Sequence, residues 1–291
     1  MRRESYGRAL RPVFVGDVQG CADELAELLA RVEERVGAAC ELWFVGDLVN
    51  RGPASRRALE RVRALADAGR ARLVLGNHDL ALIRAHFGLR PVAPLDTFRD
   101  VLGAPDADAL VEWLRRQPLV ATDHLGATDF AMVHAAVHPD WTLAELAARA
   151  RAVEAVLGGP RAAAHALLAG RGDPALADVL ARVTTCRSVT RDGGWSADEP
   201  DAPSSRGLGR VPWHALWSER RHGYGVVYGH WALQGLHVAP WLRGLDTGCV
   251  HHGRDHDGFL TAWLPEPAEG SPFDVPDARF VQVRAHRAYW R

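Results

Sequence analysis

The sequence predicts an α/β fold: a layered sandwich of two mixed sheets flanked by helices, with a helical and loop insertion. Three observations lead there. A strand-length apolar run that ends in a polar turn and gives way to helical spacing occurs three times before residue 90. Several short strand-like runs, "GVVYGHW", "LRGLDTGC", "FLTAWL" and "FVQVRAH", follow residue 220. Apolar residues make up 47% of the 291, enough for a sizeable core, yet no run reaches the ~18 apolar residues that a membrane span needs.

Taken in order, "PVFVG" stops at Asp17, and Leu25, Leu28, Leu29, Val32 and Val36 then recur at helical spacing. "LWFVG" stops at Asp47. Pro53 stands near the start of "ASRRALERVRALADAG" and Gly69 near its end, the punctuation of a helix. "ARLVLG" ends in "NHD" before "LALIRAHFG". Strand–loop–helix repeated in this way predicts a parallel sheet with right-handed crossovers, and ligands bind beyond the carboxyl ends of such strands. "DADALVEWLRRQP" and "TLAELAARARAVEAVLGG" read as helices bracketing a strand at "FAMVHA". Residues 158–220 are rich in Gly, Pro, Ala and Arg and read as an insertion covering the site, within a single domain spanning 1–291. The four late strands are expected to form a second sheet facing the first.

A formal charge of −1 gives no global basic field for a nucleic-acid polymer. The basic start "MRRESYGRAL" lacks the apolar segment of a signal peptide. Cys21, Cys40, Cys186 and Cys249 are scattered, which favours reduced thiols, small hydrophobes of a cytosolic chain. Fourteen histidines is a high count, so their clustering matters.

The polar residues at the strand ends are Asp17, Gln19, Asp47, Asn50, Arg51, Asn77, His78 and Asp79, with His134 and His230 after later strands. Carboxylates gathered at one sheet edge are expensive to desolvate and repel one another. A pair of divalent cations removes the repulsion and gives each group a partner. The alternative for Asp17 and Asp47 is a helix N-cap, and for the two histidines a hydrogen-bonded place in the core.

"GDVQG", "GDLVNRG", "GNHD", the "VHA" around His134 and the "GH" at His230 resemble the phosphoprotein-phosphatase branch of the calcineurin-like metallophosphoesterases. With "APDADALVEWLRRQPLV", "VHAAVHPDW", "YGHWA" and "LDTGC", the pattern is similar to the bacterial symmetrical diadenosine tetraphosphatases, over most of the chain but thinly between 158 and 220. The resemblance implies two divalent metal ions, manganese first and cobalt or magnesium as alternatives. Asp17 and Gln19 would hold one ion, Asp47 both, and Asn77, His134 and His230 the other. An activated water would attack phosphorus, His78 would protonate the leaving oxygen with Asp79 orienting its ring, and Arg51 would clamp phosphoryl oxygens together with Asn50 and, on a weaker match, Arg187. The implied substrate is a dinucleoside polyphosphate, with phosphoproteins or nucleotide-capped RNA 5′ ends as the alternative; no membrane and no obligate protein partner are expected.

Two departures from the wider family bear on this. Gln19 replaces a histidine, and an amide oxygen is a weaker, harder ligand tolerant of oxygen-loving ions such as manganese. Asn50 replaces an aspartate that would hold the catalytic histidine protonated. Both argue against phosphoserine as substrate, and a nucleoside diphosphate leaves readily without a strong acid. Asp246 in "DTG" reads equally as the orienter of a ligand histidine or as a turn residue. His138, His251, His252 and His256 read as solvated or supporting, and the run "HHGRDHDG" lacks rigid ligand spacing. Nothing in the sequence selects between Trp231 and Trp241 for stacking a base.

Overall fold

A computed structural model describes residues 10–195, 209–220, 222–253, 255–266, 270–274 and 279–289. The three predicted repeats form β1 (Arg11–Val15), α1 (Ala22–Val36), β2 (Cys40–Phe44), α2 (Ser55–Asp67), β3 (Ala71–Leu73) and α3 (Asn77–His86). The strands run parallel, with Val13 opposite Leu42 and Phe44 opposite Leu73. Their carboxyl ends therefore share one edge. Alternate residues serve two cores. Val13, Val15, Leu42 and Phe44 pack with the helices, where α1 buries Leu25, Leu28 and Val32 along one stripe. Phe14, Trp43, Val45 and Val74 face the other way, toward the second sheet. Burial on both faces is why these strands read as unbroken apolar runs.

Short helices α4 (Arg99–Leu102) and α5 (Ala107–Leu114) lead to the hairpin β4 (Val120–Leu125) and β5 (Thr128–Val133). Between β5 and β8 (Tyr224–Tyr228) lie α6 (Leu143–Leu157), α7 (Arg161–Leu168), α8 (Pro174–Thr185), β6 (Ser188–Thr190), β7 (Arg210–Pro212) and α9 (Trp213–Glu219). The expected insertion at 158–220 is thus helical with a two-stranded ladder, its residues 196–208 lying outside the described ones. The chain ends with β9 (His237–Ala239), β10 (Leu242–Gly244), β11 (Phe259–Trp263) and β12 (Phe280–Arg284).

The second sheet has the order β4-β5-β8-β10-β9 and the first β12-β11-β1-β2-β3. The expectation that all four late strands build the second sheet is corrected here. β11 pairs antiparallel with β1, Phe14 opposite Trp263, and β12 pairs with β11. The reason is packing: Trp263 stacks on Phe14 at 5.3 Å in the inter-sheet layer, while Leu260 and Val283 belong to the helix-side core. Phe130 of β5 meets Phe14 edge-on at 5.2 Å and closes the sandwich. Among the described residues no helix is long and apolar enough to cross a membrane. All four cysteines are buried, and none is in a disulfide.

Candidate metal centre

The loops beyond β1, β2, β3, β5 and β8 meet at one edge of the sandwich. Backbone strain collects there. Of the non-glycine residues with positive φ among those described, Gln19 (46°), Asp47 (51°), Asn50 (79°), Arg51 (65°) and His230 (69°) all belong to this edge. Left-handed conformations cost a side-chain-bearing residue about 1–2 kcal/mol, and such strain gathers at functional sites. Two glycines make room for the acids. A Cβ on Gly76 would lie 2.1 Å from Asp47 Oδ1, and one on Gly229 would lie 2.0 Å from Asp17 Oδ1.

Neither acid is the N-cap of the helix that follows it, since the residues before α1 and α2 are Cys21 and Ala54, although Asp47 Oδ1 accepts the His78 backbone N–H at the start of α3 at 2.8 Å. Asp17 and Asp47 are instead almost wholly buried, and ligand atoms of Asp17, Asp47 and His134 lie within 4.8 Å of one another. Asp17 receives the His230 backbone N–H on both oxygens at 3.2 Å. Burial, then Asp246 and Asp47, push the Asp17 carboxyl well above its ordinary range. Burial also lifts Asp246 to about 6. Burial acts on Asp47 as well, but His134, His78 and His230 outweigh it and hold that carboxyl below its usual range. Buried carboxylates that repel one another, two of them lifted above their ordinary range, favour added positive charge.

The histidines supply the sharper test. His134 Nδ1 lies 2.9 Å from the Val45 carbonyl, and His230 Nε2 lies 2.8 Å from the Thr185 carbonyl. A carbonyl only accepts, so in a neutral ring those nitrogens carry the protons. The remaining nitrogens, His134 Nε2 and His230 Nδ1, then present lone pairs. Both point at Asn77 Oδ1, at 3.0 and 2.9 Å, and His134 Nε2 is also 3.4 Å from Asp47 Oδ2. Acceptors then converge on acceptors, which is unfavourable unless a cation sits among them or a proton, drawn by the neighbouring Asp47, occupies His134 Nε2. The residues present therefore fit divalent cations bound by oxygen and imidazole.

Beside this set, His78 is held by an arrangement that its sequence neighbours do not reveal. Its Nδ1 lies 3.0 Å from Asn50 Nδ2, whose other hydrogen goes to Asp96 Oδ1 at 3.0 Å. Asn50 thus donates to His78, which leaves the ring proton on Nε2, 3.9 Å from Asp47 Oδ2. Burial pushes the His78 pKa down, so the ring is neutral near pH 7.

The expectation that Asp79 orients His78 is corrected. The Asp79 carboxylate accepts from the backbone N–H groups of Asp47, Leu48 and Gly76 at 2.9–3.0 Å. Adjacent residues on a helix do not face each other, so Asp79 turns inward while His78 faces the cavity. Asp79 is a tie between two strand-end loops. Asp96, far from every recognisable motif, does the orienting through Asn50.

A cavity of about 400 Å³ opens over these groups, lined by Gln19, Asp47, Arg51, Asn77, His78, Arg187, His230 and Asp246, with Trp231, Ala232, Leu233 and His251. The structure thus brings Gln19, Arg51, Arg187 and Asp246 to the same place as the acids and histidines. Arg187 reaches the His230 carbonyl at 3.3 Å, and Arg51 the Leu95 carbonyl at 3.4 Å. Asn50 lies behind His78 rather than in the cavity wall. Trp231 lines the cavity, whereas Trp241 lines a separate one with Trp217 and Pro240. Of the spare histidines, His138 stacks on Trp141 at 5.1 Å. His252 accepts from Gly258 N, and the described part of "HHGRDHDG" forms no ligand cluster; Arg254 lies outside it. His251, read from the sequence as solvated or supporting, is a wall residue held neutral by burial, which pushes it down to about 4.

The Val45 and Thr185 carbonyls that fix the two ligand rings carry no signal in a sequence. Asp96 could have been found only by asking which acid an asparagine at position 50 requires.

The model of the calcineurin-like phosphoesterase family matches residues 10–159. A symmetrical bis(5'-nucleosyl)-tetraphosphatase of Ralstonia nicotianae is 40% identical over 257 residues, covering 84% of this chain and 88% of that protein. One from Aromatoleum aromaticum is 41% identical over 251 residues, covering 81% and 88%. A crystal structure provisionally assigned as a diadenosine tetraphosphatase superposes with a TM-score of 0.60 over 95% of this chain and 94% of that one, at 24% identity, and so supports the fold. With its motifs, its layered sheets and its matching relatives, the chain belongs to the calcineurin-like phosphoesterase family.

Proposed function

We propose that the protein hydrolyses dinucleoside tetraphosphates symmetrically, converting diadenosine tetraphosphate and water into two molecules of ADP. The observation that carries this reading is the meeting of lone pairs from Asn77, His134 and His230 beside Asp47 and Asp17, under a cavity that holds two arginines. Relatives at 40–41% identity over most of the chain bear the name of that activity.

In this reading Asp17 and Gln19 would hold one cation, and Asn77, His134 and His230 the other, with Asp47 serving both. The bound cations would make hydroxide available near pH 7 and offset phosphoryl charge. Arg51 and Arg187 bring planar forks to the non-bridging oxygens and align the chain of phosphates. His78 offers a hydrogen bond through Nε2 but, being neutral at rest, is a weak proton donor. That suits ADP, which departs as an anion, and does not suit an alkoxide. Trp231 gives one base an aromatic face at the cavity wall. The oxygen donors Asp17, Gln19 and Asp47 favour manganese, and four buried cysteines outside any disulfide fit a reducing cytosol.

Incubation with diadenosine tetraphosphate and Mn²⁺, followed by nucleotide separation, should give ADP as sole product. ATP with AMP, or no turnover, would overturn the proposal. Faster cleavage of a phosphopeptide or of a nucleotide-capped RNA under the same conditions would move the assignment to those substrates.

A further inference from the structure

A second set of potential ligands lies off the cavity, where the amino end of α1, the turn after Asp246 and the C-terminal tail meet. Ligand atoms of Cys21, Glu24 and Cys249 lie within 4.8 Å of one another, and all three residues are at most 1% exposed. Buried cysteines alone are ordinary small hydrophobes. A carboxylate buried against them is not. Glu24 Oε1 is accounted for, since it accepts from His286 N at 2.8 Å and from the Tyr289 hydroxyl. Among the described residues, Glu24 Oε2 is buried with no hydrogen-bond partner. A buried acceptor left unmatched costs about 1–3 kcal/mol, so a missing positive partner is the economical explanation.

We propose that Cys21, Cys249 and Glu24 bind one borderline-soft divalent cation of the zinc class, separate from the catalytic centre. Two sulphurs select against magnesium, calcium and manganese, and one carboxylate oxygen completes a donor set familiar for zinc. The Tyr289 hydroxyl donates to Glu24 Oε1 and orients the carboxylate, leaving Oε2 for the cation. Binding releases the two thiol protons to solvent and forms two metal–sulphur bonds, with no change of oxidation state. The cation joins three distant segments. Cys21 stands two residues beyond Gln19, and Cys249 three beyond Asp246. A tie between them holds the two loops that bring Gln19 and Asp246 to the cavity.

Cobalt tests this directly. The full-length reduced protein, freed of metal and reloaded with Co²⁺, should show a thiolate-to-cobalt charge-transfer band. The catalytic set holds only oxygen and nitrogen donors, so the band reports this site alone and is independent of whether the dinucleotide is cleaved. Cys249→Ser should abolish the band, Cys40→Ser should keep it, and added Zn²⁺ should bleach it. A wild-type protein without the band, or a band that survives Cys249→Ser, overturns the site. So does a Cys21–Cys249 disulfide found in protein that takes up no thiolate-bound cobalt. If Cys249→Ser does not fold, X-ray absorption at the zinc edge of the wild-type protein decides: two sulphur neighbours support the site, and none refutes it.

Discussion

At the scale of single residues, the neutral charge at position 50 sets what His78 can do. An aspartate there would accept from Nδ1 and favour the imidazolium. Asn50 donates instead, because Asp96 takes its other hydrogen. The ring is therefore a hydrogen-bond donor suited to good leaving groups. His78→Ala should slow an alkyl phosphate by roughly 100-fold or more and the dinucleotide by about tenfold or less, compared through kcat/KM; equal losses would refute the leaving-group account. Asp79 belongs to a different class. Its two oxygens hold three backbone N–H groups, and an amide in its place would set an N–H against an N–H. Asp79→Asn should lower unfolding free energy by about 1–3 kcal/mol in urea titrations.

Among elements, the strand-end turns decide whether the acids can occupy their places. A methyl group at position 76 collides with the Asp47 carboxylate and its backbone nitrogen, at 2.1 and 2.5 Å. Gly76→Ala should leave a folded protein by circular dichroism with about 100-fold less activity, the usual consequence of displacing a catalytic group by an ångström. The junction of α9, β8 and β9 makes a prediction about pH. His214 of α9 accepts from Gln234 Nε2 at 2.7 Å and packs on His237 at 4.4 Å between ring centres. Burial first, then His237, push His214 down from 6.5 to about 3. A group whose folded pKa is lowered binds fewer protons folded than unfolded. Its stabilisation is complete above about pH 6.5 and is lost as the pH falls toward 3. Melting temperature should drop on acidification from pH 7 to 4, and His214→Phe should make the drop shallower by up to one proton.

For the whole molecule, two facing sheets bring together loops that lie more than two hundred residues apart, as with Asp17 and His230. The buried carboxylates there oppose one another when no cation is bound. Chelation should therefore lower the melting temperature, and Mn²⁺ at about 100 times its dissociation constant should restore about 2.7 kcal/mol. A melting curve indifferent to both would remove the centre from the account of stability.

The polar residues that converge at one edge, the parallel run of β1, β2 and β3 and the family were legible in the chain. Residues 17, 47, 77, 134 and 230 sit just beyond apolar runs, and that adjacency is local information. The partition of late strands between the sheets was not, because β11 and β12 have the same period as the strands of the second sheet and differ only in which core their alternate residues fill. Nor was the role of Asp79, since a helix turns neighbouring side chains apart, nor the Asp96–Asn50–His78 relay, whose members meet only when distant loops fold together. What the sequence determined by itself was which donors exist and at which strand ends they stand. Which of them converge on one point, and which nitrogen of each histidine is left facing it, was decided only by tertiary structure, because those choices rest on backbone carbonyls that every residue possesses and only folding can place.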